Sequence, residues 1–232
     1  MKLLFPVRSL FYEAERKVYL AEEFLIGKGR NKDVYIHPEN PAQCIKINAR
    51  GTKDHRAEMN YRRSRELRNL PPSALMVSYF GAVETNLGTG YVFERIVDYD
   101  GINSKTIEEL IKLELKARSE NSSVRKLLGT DKEIPKVMDV LLRFRKELFR
   151  DNIIIPDMWP FNYMVQFDTP SDWRIRIVDD LGSPALIPIV YYIDYFGAKR
   201  VRRRWRIFIR RIVSLYPGFL TDEESSILMA SE

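Results

Sequence analysis

In the segment IPDMWPFNYMVQ, Asp157 and Asn162 stand five residues apart around Pro160 and lead into an apolar stretch. A carboxylate so placed can orient an attacking hydroxyl or accept its proton, and a carboxamide turned back toward it can offer oxygen to a metal ion that bridges phosphates. Downstream, IRIVDDLG sets Asp179 and Asp180 before Gly182. A carboxylate pair at a strand end suits a hard cation such as Mg²⁺, which takes one or two protein carboxylates and completes its shell with phosphate oxygens and water. Each motif alone also fits ordinary structure: a capped turn for Asp157 with Asn162, and a solvated β-turn for the two aspartates.

Further upstream, in IGKGRNKDVY, Gly27 and Gly29 follow Leu25 and Ile26 and precede Val34 and Tyr35. Without a Cβ, a glycine turn lets backbone N–H groups come close to phosphate oxygens, and Lys28, Arg30 and Lys32 could add positive charge. A plain hairpin with solvated basic residues is the structural alternative. In CIKI, Lys46 interrupts an otherwise apolar strand. An ammonium there must meet an anion or reach water, because burying it unpaired is costly. Glu58, on the following helix, is the natural carboxylate. A strand-edge lysine is the bland reading of the same residue.

The elements that must position these groups fall into two stretches. Residues 18–47 alternate apolar and polar around the glycine turn, and residues 75–96 read as two strands joined by NLGTG. Between them DHRAEMNYRRSREL predicts a helix, with Thr52 or Asp54 as its N-cap. The polar, glycine-containing segment VDYDGINSKT places a boundary near Asp98, giving residues 1–97 to a small strand-rich lobe and residues 98–232 to a helical one. In the second part Val137, Leu141, Phe144 and Leu148 form one apolar stripe of a helix, and residues 174–179 read as a strand. The expected fold class is α+β.

Composition narrows the possibilities. At 232 residues with 45% hydrophobic content, the chain can bury a sizeable core. No apolar run approaches the roughly 20 residues of a membrane span, and Pro6, Glu13 and Glu15 interrupt the N-terminal stretch, so a cytoplasmic location is expected. The one cysteine, Cys44, reads as strand filler, and with His37 and His55 it makes no soft-metal ligand set. The formal charge of +6 is modest, but Lys and Arg gather at residues 199–211 as KRVRRRWRIFIRR. There Val201, Trp205, Phe208, Ile212 and Leu215 form an apolar face, while Arg202, Arg203, Arg206 and Arg210 lie mostly elsewhere. That pattern suits a core helix with a solvated basic face, or peripheral contact with an anionic membrane; no nucleic-acid recognition module accompanies it.

Taken in order, LIGKGRNKDVYIHPENPAQCIKI, FGAVETNLGTGYVFE and VDDLGSPALIPI resemble the YrbL family of PhoP regulatory network proteins, which has a protein-kinase-like fold. The resemblance runs from about Phe24 to Arg211. It implies two lobes, an antiparallel-sheet N-lobe and a compact helical C-lobe, with ATP and Mg²⁺ in the cleft between them. It places Gly27, Lys28, Gly29 and Val34 at the phosphate loop, Lys46 and Glu58 in an ion pair, and Phe93, Glu94 and Arg95 at the adenine hinge. Asp157 falls on the catalytic aspartate, Asn162 on the metal-binding asparagine, and Asp180 on the metal aspartate of a DLG triplet, with Asp179 the adjacent alternative. The sequence also departs from the general kinase pattern. Lys32 takes the place of the third loop glycine, Ile155 and Pro156 replace the usual His and Arg, Trp159 stands where protein-serine kinases have lysine, and no APE segment follows. About 50 residues remain after Gly182, too few for a large peptide-docking surface. The expected activity is phosphotransfer from ATP to an unknown small-molecule, sugar, lipopolysaccharide or protein acceptor, and the competing class is a regulatory pseudokinase.

Overall fold

A computed structural model describes residues 17–29, 32–48, 56–124, 128–182 and 189–230. The chain divides into two units, Met1–Lys53 with Ser78–Arg95, and Asp54–Val77 with Ile96–Glu232. The architecture is mixed α+β with antiparallel sheets.

The first unit carries five strands, β1 (Leu25–Lys28), β2 (Lys32–His37), β3 (Asn40–Asn48), β4 (Tyr79–Thr85) and β5 (Gly88–Glu94), in the order β1-β2-β3-β5-β4. Every neighbouring pair is antiparallel. The connections follow from the turn chemistry read in the sequence: β4 and β5 join through Asn86 and Leu87 into Gly88, which has a φ of 107°. Pairing sets Gly27 opposite Val34, Val34 opposite Lys46, and Lys46 opposite Tyr91. One face is held by a small core of Leu20, Tyr35, Ile45, Ile47 and Val92.

The second unit contains the helix expected after the first strands, α1 (Arg56–Leu67), whose anticipated caps Thr52 and Asp54 lie outside the described residues. It also has a three-stranded sheet, β6 (Lys105–Thr106), β7 (Tyr163–Phe167) and β8 (Trp173–Ile177), with β7 in the middle. Around the sheet lie α2 (Ile107–Ser119), α3 (Val137–Arg150), α4 (Ile189–Tyr192), α5 (Asp194–Leu215) and α6 (Asp222–Met229). Thr106 and Glu109 close a reciprocal capping box at the start of α2, and Thr221 with Glu224 repeats it on α6.

The stripe on α3 does what its period requires. Val137, Leu141, Phe144 and Leu148 are buried, and the Phe144 ring meets Tyr163 of β7 at 4.6 Å and Trp205 of α5 at 5.7 Å. On α5, Val201, Trp205, Phe208 and Ile212 point into the same core while Arg202, Arg203, Arg206 and Arg210 are exposed. Leu215, expected on the apolar face, is instead 48% exposed. It ends the helix, and the next inward contact is made by Tyr216, whose hydroxyl donates to Glu108 of α2 at 2.8 Å. The strand expected at 174–179 also stops early, because the Val178 N–H turns away from the sheet to the Asn162 carbonyl at 3.0 Å. Among the described residues no helix is long and apolar enough to cross a membrane.

Candidate functional site

The polar groups singled out in the second unit collect where β7 begins and β8 ends. Pro160, with its fixed φ, starts a single 3-10 turn, Pro160–Asn162, that feeds β7. The turn places the buried Asn162 side chain so that its Nδ2 donates to Asp180 Oδ2 at 2.7 Å. Its backbone carbonyl meanwhile holds Val178. Asn162 thereby holds the end of β8 twice, through its carbonyl at Val178 and through its side chain at Asp180, 18 positions on.

Asp180 adopts a φ of +63°, a left-handed conformation that a non-glycine residue occupies at a cost of order 1 kcal/mol. What holds it there is visible at Gly182. A Cβ on that residue would lie 2.5 Å from the Ala57 carbonyl oxygen of α1, so only glycine lets the chain pass, and the Gly182 N–H donates to Ile154 at 2.9 Å. The DLG turn is thus wedged between α1 and the connection at Ile154, and the strain at Asp180 is fixed by packing rather than by local preference.

Asp157 stands at the other side of the turn with both carboxylate oxygens engaged. Oδ2 accepts from the Trp159 indole Nε1 at 2.7 Å, and Oδ1 accepts from Arg211 Nη1 of α5 at 2.9 Å. The same Nη1 donates to the Met158 carbonyl. The Arg211 guanidinium lies 3.7 Å from the centroid of the Trp159 ring, and Trp159 in turn stacks on Phe161 at 5.6 Å and 20°. Trp159 leaves this segment without a cation of its own, and Arg211 brings one to Asp157 from 54 positions further on. Arg211 was not singled out, although one signal was there. It lies three residues after Phe208, so helical spacing turns it toward the inward face among apolar residues. Beneath the turn, the Tyr163 hydroxyl is buried without a hydrogen-bond partner among the described residues. Burial pushes its ionisation well up, Asp180 and Asp157 push it further, and Arg211 pulls the other way.

In the first unit, Lys46 is buried between Ile45 and Ile47 with its ammonium 4.4 Å from the centroid of the Phe93 ring. Gly29 closes its turn by donating N–H to the Lys32 carbonyl at 2.9 Å, and a Cβ there would come within 2.7 Å of that oxygen. Gly27 pairs with Val34 across β1 and β2, Lys28 with Asp33, and Arg30 lies outside the described residues. Of the segment Phe93, Glu94 and Arg95, Phe93 is buried, and the N–H groups of Glu94 and Arg95 donate to Ser78 and Ala42 at 3.0 and 2.9 Å. Cys44 is buried beside them, and burial pushes its thiol up against the opposing pull of Lys46 and Arg95. Glu58 belongs to the second unit, buried on α1, where Oε1 accepts from Arg62 Nη2 at 2.7 Å and Nε at 3.0 Å.

Among the described residues no three His, Cys, Asp or Glu side chains cluster as a self-sufficient metal cage. The Asn162 amide oxygen and the Asp180 carboxylate, with Asp179 adjacent, are hard oxygen donors of the kind Mg²⁺ takes when phosphates complete its shell. A separate cavity of about 740 Å³ lies elsewhere in the second unit, lined by Tyr61, Arg65, Arg68, Asp151 and Tyr191 among others. Arg65 and Arg68 are tied there to carbonyls and to Asp194, Arg150 is tied to Asp151, and none of the motif residues opens into it.

A model of the PhoP regulatory network protein YrbL family matches residues 18–213, and the chain belongs to that family. Over 201 residues it is 28% identical to the Escherichia coli K12 protein named "Uncharacterized protein YrbL", covering 83% of this chain and 86% of that protein. A Shigella flexneri protein of the same name matches to the same extent.

Proposed function

We propose that this protein is kinase-like: it binds ATP with Mg²⁺ and transfers the γ-phosphoryl group to an acceptor hydroxyl. The observation that supports this most is the Asn162–Asp180 pair at 2.7 Å, held on the strained DLG turn, with Asn162 ending the 3-10 turn that starts three residues after Asp157. Strain at a polar residue that packing over-determines is characteristic of sites that bind or react. In this reading Asn162 and Asp180, with Asp179 in reserve, hold the metal, which neutralises phosphate charge when bound. Asp157 orients the acceptor hydroxyl and takes its proton. Each carboxylate oxygen has two lone pairs, so engagement by Trp159 and Arg211 leaves capacity for that hydroxyl.

The same reading assigns Gly27, Lys28, Gly29 and Val34 to the phosphate loop, Lys46 to the phosphates with Glu58 as its carboxylate partner, and Phe93, Glu94 and Arg95 to the adenine edge. A two-lobed kinase arrangement belongs to the proposal, as do a role in a bacterial regulatory network and a small-molecule, sugar, lipopolysaccharide or protein acceptor. The apolar face of α5 is consumed by the core, so contact of residues 199–211 with an anionic membrane would rest on the exposed Lys199 and arginines alone.

A second reading, a pseudokinase that binds nucleotide without turnover, is favoured by one observation: both oxygens of Asp157 are already engaged within the fold. ATP affinity and ATP consumption, measured with Mg²⁺ on wild type and Asp157→Asn, separate the two. The kinase reading expects affinity within about threefold of wild type and turnover lower by about 10²–10⁴-fold. A mutant that consumes ATP as fast as wild type removes Asp157 from the chemistry. Binding without consumption by wild type leaves the pseudokinase.

A further inference from the structure

Phosphoryl transfer spreads negative charge over the equatorial oxygens of the moving group, and catalysis depends on cations already held in place beside it. The segment Ile155–Tyr163, which carries Asp157 and Asn162, contains no Lys or Arg. The cation found against this segment comes from a distant helix. Arg211 of α5 donates Nη1 to Asp157 and to the Met158 carbonyl, and its guanidinium carbon lies over the Trp159 ring, 3.7 Å from the centroid.

Three features distinguish this guanidinium from a surface ion pair. It is held by two hydrogen bonds and a stacking contact, so little rotamer freedom is left to lose when a ligand arrives. Its side chain is 21% exposed and that of Asp157 is 47% exposed, so the pair is sheltered yet reachable. Its Nε–H and Nη2–H groups have no hydrogen-bond partner among the described residues, and their fork geometry matches two oxygens of a phosphate.

We infer that Arg211 is the catalytic cation of this site, presenting Nε and Nη2 to the transferring phosphoryl group while Nη1 steers Asp157. The inference rests on the phosphotransfer reading above. In the step, the acceptor oxygen forms a new bond to the γ-phosphorus as the bond to the β,γ-bridging oxygen breaks. ADP leaves with that electron pair, and the hydroxyl proton passes to Asp157. Charge gathered on the γ-oxygens meets Arg211. The indole of Trp159, which displaces a cation from the loop itself, becomes the platform on which the cation is laid.

The test uses the full chain with Mg²⁺ and ATP alone, comparing wild type, Arg211→Gln, Arg211→Lys and Asp157→Asn, each checked for cooperative thermal unfolding. Gln keeps donors for Asp157 and Met158 but removes the charge, and Lys keeps the charge. Arg211→Gln is expected to lose about 10²-fold or more in turnover at saturating ATP with affinity changed by less than about fivefold. Arg211→Lys should recover at least about tenfold of that loss. Wild-type turnover in a folded Arg211→Gln protein overturns the inference while leaving phosphotransfer intact. So does an equal loss in Gln and Lys variants, which would make Arg211 a structural clamp. Absence of ATP consumption by wild type overturns the phosphotransfer reading itself, and this inference with it.

Discussion

The second unit holds two acid–base clusters of opposite design. In one, Lys132 reaches Asp98 at 2.7 Å and Asp100 at 2.8 Å. Asp98 also accepts from the Phe167 N–H at 3.0 Å and from the Ser104 hydroxyl, and both Asp98 and Lys132 are about 95% buried. This cluster ties the connection after Val97 to strand β7 and closes every charge on a partner. In the other, Asp157 and Arg211 are partly open to solvent, and the Arg211 Nε–H and Nη2–H groups have no hydrogen-bond partner among the described residues. A closed cluster stabilises a shape, whereas an open one leaves electrostatic capacity for something outside the chain. Charge alone therefore does not mark a functional site; charge left unspent in a fixed geometry does.

The sharpest way to break that contrast is to cut the closed cluster. Lys132→Ala would leave Asp98 buried without its ammonium, and a loss of about 3–5 kcal/mol in urea denaturation is expected. A loss below about 1 kcal/mol would mean that the cluster is less closed than its distances imply. Removing both charges, as Lys132→Met with Asp98→Asn, should cost less than the sum of the single changes.

A smaller effect comes with pH. Burial pushes Asp100 up, but the Lys132 hydrogen bond and charge, with the Ile102 amide, outweigh it and hold the carboxyl below its ordinary 3.8. Burial lowers Lys132, but Asp100 and Asp98 outweigh that and raise it above 10.5. A lowered acid contributes stability that is complete above its ordinary value and lost as pH falls through the folded one. A raised base contributes stability that is complete below its ordinary value and lost as pH rises through the folded one. The stability gap between wild type and the double variant Lys132→Met with Asp98→Asn should therefore be flat from about pH 5 to 9 and narrow on both sides. A gap that varies across neutral pH would contradict this.

The smallest effect is expected at the open cluster. Asp157→Ala should change unfolding free energy by no more than about 1 kcal/mol, because a half-exposed ion pair gains little in water. Should it cost as much as Lys132→Ala, the Asp157–Arg211 pair would belong with the structural cluster instead.

Much of the local architecture was legible in residue order. The stripe Val137, Leu141, Phe144 and Leu148 announces an inward helix face within twelve residues, and NLGTG announces a turn between β4 and β5. The motif Asp157 to Asn162 and the DLG triplet were found because their spacing is short and their chemistry narrow. That their side chains meet, at Asn162 and Asp180, is a fact of the sheet that joins β7 to β8. Leu215 was misplaced because periodicity carries no record of where the underlying core ends.

Arg211 was passed over for a deeper reason. Helical spacing sets Arg211 nearer the apolar face than the exposed Arg210 beside it, but only the packing of α5 brings it to Asp157. Lys132 and Asp98, 34 residues apart, were equally silent. What the sequence determined by itself was the set of elements, the faces they bury and the residue types available for chemistry, because these follow from periods of two and 3.6 and from short-range turn geometry. What only the tertiary structure decided was which charges meet, because a polar pair between distant segments leaves no period along the chain. It exists only once apolar burial has brought those segments together.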